Sequence, residues 1–139
     1  MDHVLWVTPI EKGKTDVVRR YMDALERSRR EDYEQSQEEL GMHKEIFWIL
    51  PARNEDDNDQ LVLYMEADSM EQAFKDWAAS EGAFETFGKD QWADFSVEIP
   101  APLWQGPDES PYVLECLSSY QKPGGPPAEP YSGPTDGDQ

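Results

Sequence analysis

The chain has 139 residues, enough for one domain of about 100 residues with an appendage and too few for two full domains. Its 30 acidic and 12 basic residues give a formal charge of −18, which argues against nucleic-acid binding, because a binder needs a clustered positive surface to displace phosphate counterions. No run approaches the roughly 20 apolar residues of a membrane span, and Met1-Asp2-His3-Val4 lacks the basic start and apolar core of a signal peptide, so a soluble cytoplasmic protein is expected.

His3 to Thr8, HVLWVT, is too short for a helix and reads as a first strand stopped by Pro9. After the turn at Gly13, Val17, Val18, Tyr21, Met22 and Leu25 recur at helical spacing from about Thr15, which predicts a long helix continuing through Leu40 to Gly41. Its outer face carries acid-before-base pairs four residues apart: Asp16 with Arg20, Asp23 with Arg27, Glu26 with Arg30. Met42 to Leu50 and Gln60 to Ala67 are strands around the polar loop PARNEDDND, an antiparallel hairpin. Ser69-Met70-Glu71-Gln72 is a capping box opening a second helix that ends near Gly82. The aromatic, acidic stretch Ala83 to Phe95 reads as a short or broken helix. For a fourth strand, Phe95 to Ile99 competes with Tyr112 to Leu117.

Composition changes near residue 100: from Pro100 to Gln139 lie nine of the eleven prolines and five of the nine glycines. The expected division is a domain over 1–99, extending to about 120 if the last strand lies there, and a Pro/Gly-rich tail over 121–139, disordered or extended. The order strand, helix, strand, strand, helix, strand predicts an α+β fold: a ferredoxin-like βαββαβ antiparallel sheet with its helices on one face.

Side chains alternate across a strand, and the apolar row Leu61, Leu63, Met65 belongs under the helices. Leu5, Val7, Phe47 and Ile49 are expected beside it. The other face then receives Trp6, Thr8, Ile46, Trp48, Leu50, Val62, Tyr64 and Glu66, too apolar to stay in water. A second copy is the simplest cover, giving a homodimer of sheets packed face to face. Here HVLWVTPIEKGK, LGMHKEIFWIL and LVLYMEADSMEQAFKDW resemble the first strand and turn, central hairpin and second helix of the dimeric α+β barrel superfamily. The resemblance covers residues 3 to about 99 and is nearest an uncharacterised branch of small bacterial and archaeal domains. The histidines associated with that branch after the second helix are missing, and Phe84 and Lys89 stand nearby. The superfamily includes cofactor-independent monooxygenases, polyketide cyclases, haem-degrading enzymes and sugar mutarotases, so the resemblance implies a cavity more firmly than a reaction.

Two histidines are available for proton transfer. His43 shares a face with Glu45 at the start of its strand, a general base oriented by a carboxylate, or else a solvated strand-end histidine. His3, near the terminus, is the weaker candidate. Tyr21, Trp6, Trp48, Tyr64, Trp77 and Trp92 either line a pocket for a flat apolar ligand or serve only core and dimer packing. The loop Asn54 to Gln60 fails the EF-hand template, having Asp59 where glycine is needed and Met65 where glutamate is needed. Cys116, the single cysteine, lies in an apolar stretch and reads as a buried inert thiol, which leaves no thiolate zinc site. With no phosphate loop, nucleophile elbow or haem ligand to assign, no cofactor or metal is expected. The leading expectation is a homodimer that binds a small, largely apolar molecule, as a cofactor-independent oxygenase or cyclase. The alternative is a noncatalytic accessory protein. An enclosed cavity of about 300 Å³ beside His43 and Tyr21 separates the two.

Overall fold

Apolar runs bounded by Pro9, Gly41 and the polar 51–59 loop become three strands, β1 (Asp2–Pro9), β2 (Met42–Leu50) and β3 (Gln60–Ala67). The computed structural model describes residues 1–97, 117, 118, 120 and 122–124. Within them the fold is α+β, with one antiparallel sheet in the order β1-β3-β2 and four helices: α1 (Thr15–Glu26), α2 (Arg30–Glu39), α3 (Met70–Ala79) and α4 (Ala83–Phe95).

The expected long helix is divided. At Arg27, φ −128° and ψ −86° leave the helical region, and the Arg29 amide reaches the Ala24 carbonyl at 2.7 Å, five residues back. No proline or glycine lies in Glu26-Arg27-Ser28-Arg29-Arg30, so local propensity does not cause the break. Tertiary contacts compensate for it: the Arg29 guanidinium lies 3.8 Å from the centre of the Phe87 ring, and α2 turns Tyr33 toward Phe84. Gly41 ends α2 at φ 73°, as expected. Asp23 pairs with Arg27 at 2.8 Å and Glu26 with Arg30 at 3.5 Å, whereas Asp16 takes Arg19 at 3.0 Å instead of Arg20.

Half of the capping box forms, with the Gln72 amide donating to Ser69 Oγ at 3.2 Å. The Gln72 side chain donates to Asp76 instead of returning, and Asp2 of β1 accepts from the Met70 amide at 2.9 Å, supplying a second cap across the fold. Ala83–Phe95 is one continuous helix.

Register corrects the expected facing of β1. Trp6 pairs with Leu63, which pairs with Phe47, so these three share the helix side, as do Thr8, Leu61 and Ile49 and, one row the other way, Val4, Met65 and Glu45. Trp6 is therefore core, 5% exposed, and Leu5 and Val7 lie on the open side with Trp48 and Leu50. Both phases of HVLWVT are apolar, and pairing with β3 decides between them. Val18, Tyr21, Leu25, Met70, Phe74, Trp92 and Phe95 complete the core over the inner rows.

Of the expected Phe95 to Ile99 strand, Phe95 closes α4 and Ser96 makes one antiparallel bridge to Ile10. Glu98 and Ile99 lie outside the described residues. So do 112–116, Cys116 among them, and nearly all of the expected tail.

Candidate functional site

The break between α1 and α2 leaves β2 partly open on its helix side, and a cleft of about 610 Å³ runs along it. Met22, Leu25 and Phe47 form its apolar wall; Glu26, Arg30, Glu34, Glu38, His43 and Lys44 surround its mouth. Glu45, on an inward row of β2, stands between this cleft and a narrow recess of about 60 Å³, room for about two waters. Tyr21, Trp77, Phe84 and Trp92 line the recess.

Two side chains of α2 reach the same oxygen of that carboxyl. The Tyr33 hydroxyl donates to Glu45 Oε1 at 2.6 Å, and Gln37 Nε2 donates to it at 3.2 Å. Tyr33 and Gln37 are four residues apart and so fall on one helix face. Desolvation raises the Glu45 carboxyl to about 7, with the Tyr33 hydrogen bond pulling the other way. Burial, reinforced by the nearby Glu45, raises both Tyr21 and Tyr33, which keeps their hydroxyl protons in place at neutral pH. Since Oε1 already accepts twice, a proton on Glu45 belongs on Oε2. The arrangement can hold or release one proton near neutrality, the range in which a general acid or base works best.

The candidates read from the sequence separate into two groups. Tyr21, Trp77 and Trp92 meet in the recess, and Trp6 packs on Trp92 with ring centroids 6.1 Å apart. Trp48 and Tyr64 lie on the opposite face of the sheet. His43 and Glu45 both line the cleft, but a bulge between Met42 and Lys44 takes His43 out of register. Asp68 is the carboxylate at His43, Nε2 to Oδ1 2.6 Å, while Glu45 faces Tyr33. On the open face, Tyr64 donates to Glu66 at 2.8 Å and stacks on His3, whose Nδ1 is 3.2 Å from its oxygen; Lys44 approaches Glu66 at 3.7 Å.

Tyr33 and Gln37 were not singled out from the sequence. The only ring in the polar run Arg30-Glu31-Asp32-Tyr33-Glu34-Gln35-Ser36-Gln37, spaced four residues from a glutamine, was the available signal. Among the described residues no group of three or more His, Cys, Asp or Glu side chains is placed to hold a metal, and no helix is long and apolar enough to cross a membrane. No family model, curated protein or solved structure matches the chain.

Proposed function

We propose that this protein binds a small, largely apolar molecule in the cleft between α1, α2 and β2, with Glu45 as the group that exchanges a proton or hydrogen bond with it. One observation carries this reading: a carboxyl raised to about 7 is fixed by Tyr33 and Gln37 in the wall of a space large enough for a ligand. The cleft is open and Tyr21 sits behind Glu45 in the recess, so the space departs from the enclosed cavity beside His43 and Tyr21 that the sequence reading asked for. A cofactor-independent oxygenase or cyclase is the chemistry such a group serves, with Glu45 taking a proton from the bound molecule.

The finer architecture belongs to the same reading. Two observations support a ferredoxin-like sheet: the order β1-β3-β2 is the one such a sheet would have without its last strand, and the antiparallel Ile10–Ser96 bridge brings the chain back beside the end of β1. In a dimeric α+β barrel the open face is covered by a second copy. Leu5, Val7, Trp48 and Leu50, each 43 to 54% exposed on that face, favour this cover and also support the accessory-protein alternative, in which the face alone is used.

Filling the cleft tests the ligand reading. Met22→Trp is expected to abolish binding of the neutral fluorescent probe N-phenyl-1-naphthylamine while leaving the melting temperature within a few degrees. Undiminished probe binding by the variant, or no binding by the parent protein, would overturn it.

A further inference from the structure

The charges around the cleft are not balanced. Each cation at its mouth already has an acid: Arg30 lies between Glu26 at 3.5 Å and Glu34 at 2.8 Å, Lys44 is 3.7 Å from Glu66, and His43 is 2.6 Å from Asp68. Glu38 and Glu45 also line the cleft, and among the described residues neither has a cation within ion-pair distance. The apolar wall of Met22, Leu25 and Phe47 and the ring of Tyr33 line the same cleft, and the whole chain carries −18.

From this imbalance we propose that the occupant of the cleft is an organic monocation, a protonated amine on an apolar body, with its ammonium at Glu45 and its body against Met22, Leu25 and Phe47. This rests on the cleft being the ligand site and adds the ligand's chemical class. A neutral ligand would leave the ionised form of Glu45 without a counter-charge. An anion would meet two uncompensated carboxyls and the field of the whole chain. An ammonium instead supplies the missing counter-charge and donates to Oε2, the oxygen that Tyr33 and Gln37 leave unused, while nearby aromatic faces attract cations.

Binding must then be linked to a proton. An ammonium favours the ionised form of Glu45, so the protein gives up a proton on binding wherever the empty site holds one. The groups facing Glu45 do not obscure this. Tyr21 of α1 and Tyr33 of α2 stay protonated at neutral pH. Glu26 of α1, and Arg30, Glu34 and Glu38 of α2, are exposed at the mouth; His43 and Lys44 are its neighbours on β2; β3, α3 and α4 contribute only Leu63, Met65, Ala73, Phe74, Trp77, Phe84 and Trp92. His43, the nearest imidazole on β2 and held by Asp68, is removed in a control variant.

Calorimetry on the full chain with three probes of matched shape tests the inference: 2-phenylethylamine, 2-phenylethanol and 3-phenylpropionate. The amine is expected to bind at least tenfold tighter than the alcohol at pH 8, and the acid weakest. Amine affinity is expected to rise about tenfold from pH 6 to pH 8 with matching proton release at pH 6, in the parent protein and in His43→Gln. Glu45→Gln is expected to lower amine affinity about tenfold more than it lowers alcohol affinity, and to abolish the pH dependence. Equal binding of amine and alcohol, or preference for the acid, overturns the ligand class while the cleft reading stands. No binding of any probe in the parent protein overturns both. Should Glu45→Gln fail to fold, the proton release of the parent and His43→Gln proteins decides the question.

Discussion

Glu45 shows how one carboxyl links stability to pH. Its pKa is raised on folding, so its contribution is fully present below the ordinary glutamate value of 4.5 and is lost as pH rises through about 7. The protein is therefore expected to lose on the order of 2 kcal/mol relative to Glu45→Gln between pH 5 and pH 8, and paired melting curves across that range check it. Parallel curves would remove the raised carboxyl. Asp59 has the opposite sign: hydrogen bonds from the Ala52 amide and the Thr15 hydroxyl hold its carboxyl below the usual range, stabilisation that is lost as pH falls through that lowered value. Gly88 is a packing counterpart behind the cleft. A methyl group there would meet Trp77 Cζ2 and the Tyr21 hydroxyl, both at 3.2 Å. Tyr21 is held by Phe87 and Phe95 and cannot yield, so Gly88→Ala is expected to destabilise by about 1 kcal/mol in urea unfolding, despite alanine's better helix propensity.

Among the elements, α3 is fixed at its start by caps from two directions. Ser69→Ala is expected to cost about 1 kcal/mol of unfolding free energy, and Asp2→Ala a comparable amount although it lies in β1; no change on losing Asp2 would mean that the Met70 amide finds water instead. Both strands of the hairpin, the inward row Leu61, Leu63, Met65 and the end of α2 at Gly41 were legible, because period, glycine placement and turn residues are local signals. The phase of β1 was not, since Val4, Trp6 and Thr8 alternate with Leu5 and Val7 and neither set is polar. Nor was the break after Glu26, where Arg29 on Phe87 involves residues 58 positions apart in a sequence that is locally a good helix. The candidate site inherited that error. Reading 15–41 as one helix hid the face of Tyr33 and Gln37, and a one-residue bulge moved His43 away from Glu45.

For the whole molecule, the open sheet face and the net charge act against each other in assembly. The proposed dimer, at 16.0 kDa per copy, would appear as a particle of about 32 kDa in light scattering, and Trp48→Glu is expected to give the monomer with unchanged circular dichroism. A monomeric parent protein at micromolar concentration would contradict the barrel reading. A charge of −18 opposes both compaction and association, so the melting temperature is expected to rise with salt up to about 0.15 M; a continued rise into molar salt would mark a surface adapted to brine, and a plateau an ordinary acidic protein. The position of β2 ties this to handling. It pairs only with β3 among the described residues, and although Lys44 and the bulge beside it guard its first end, the run Ile46-Phe47-Trp48-Ile49-Leu50 carries no charge to deter a foreign strand. Mutual repulsion is what keeps such margins apart, and it vanishes as acidification approaches the isoelectric point of 4.2. Precipitates formed there should bind thioflavin and seed further deposition, so purification by isoelectric precipitation would spoil the material it is meant to concentrate.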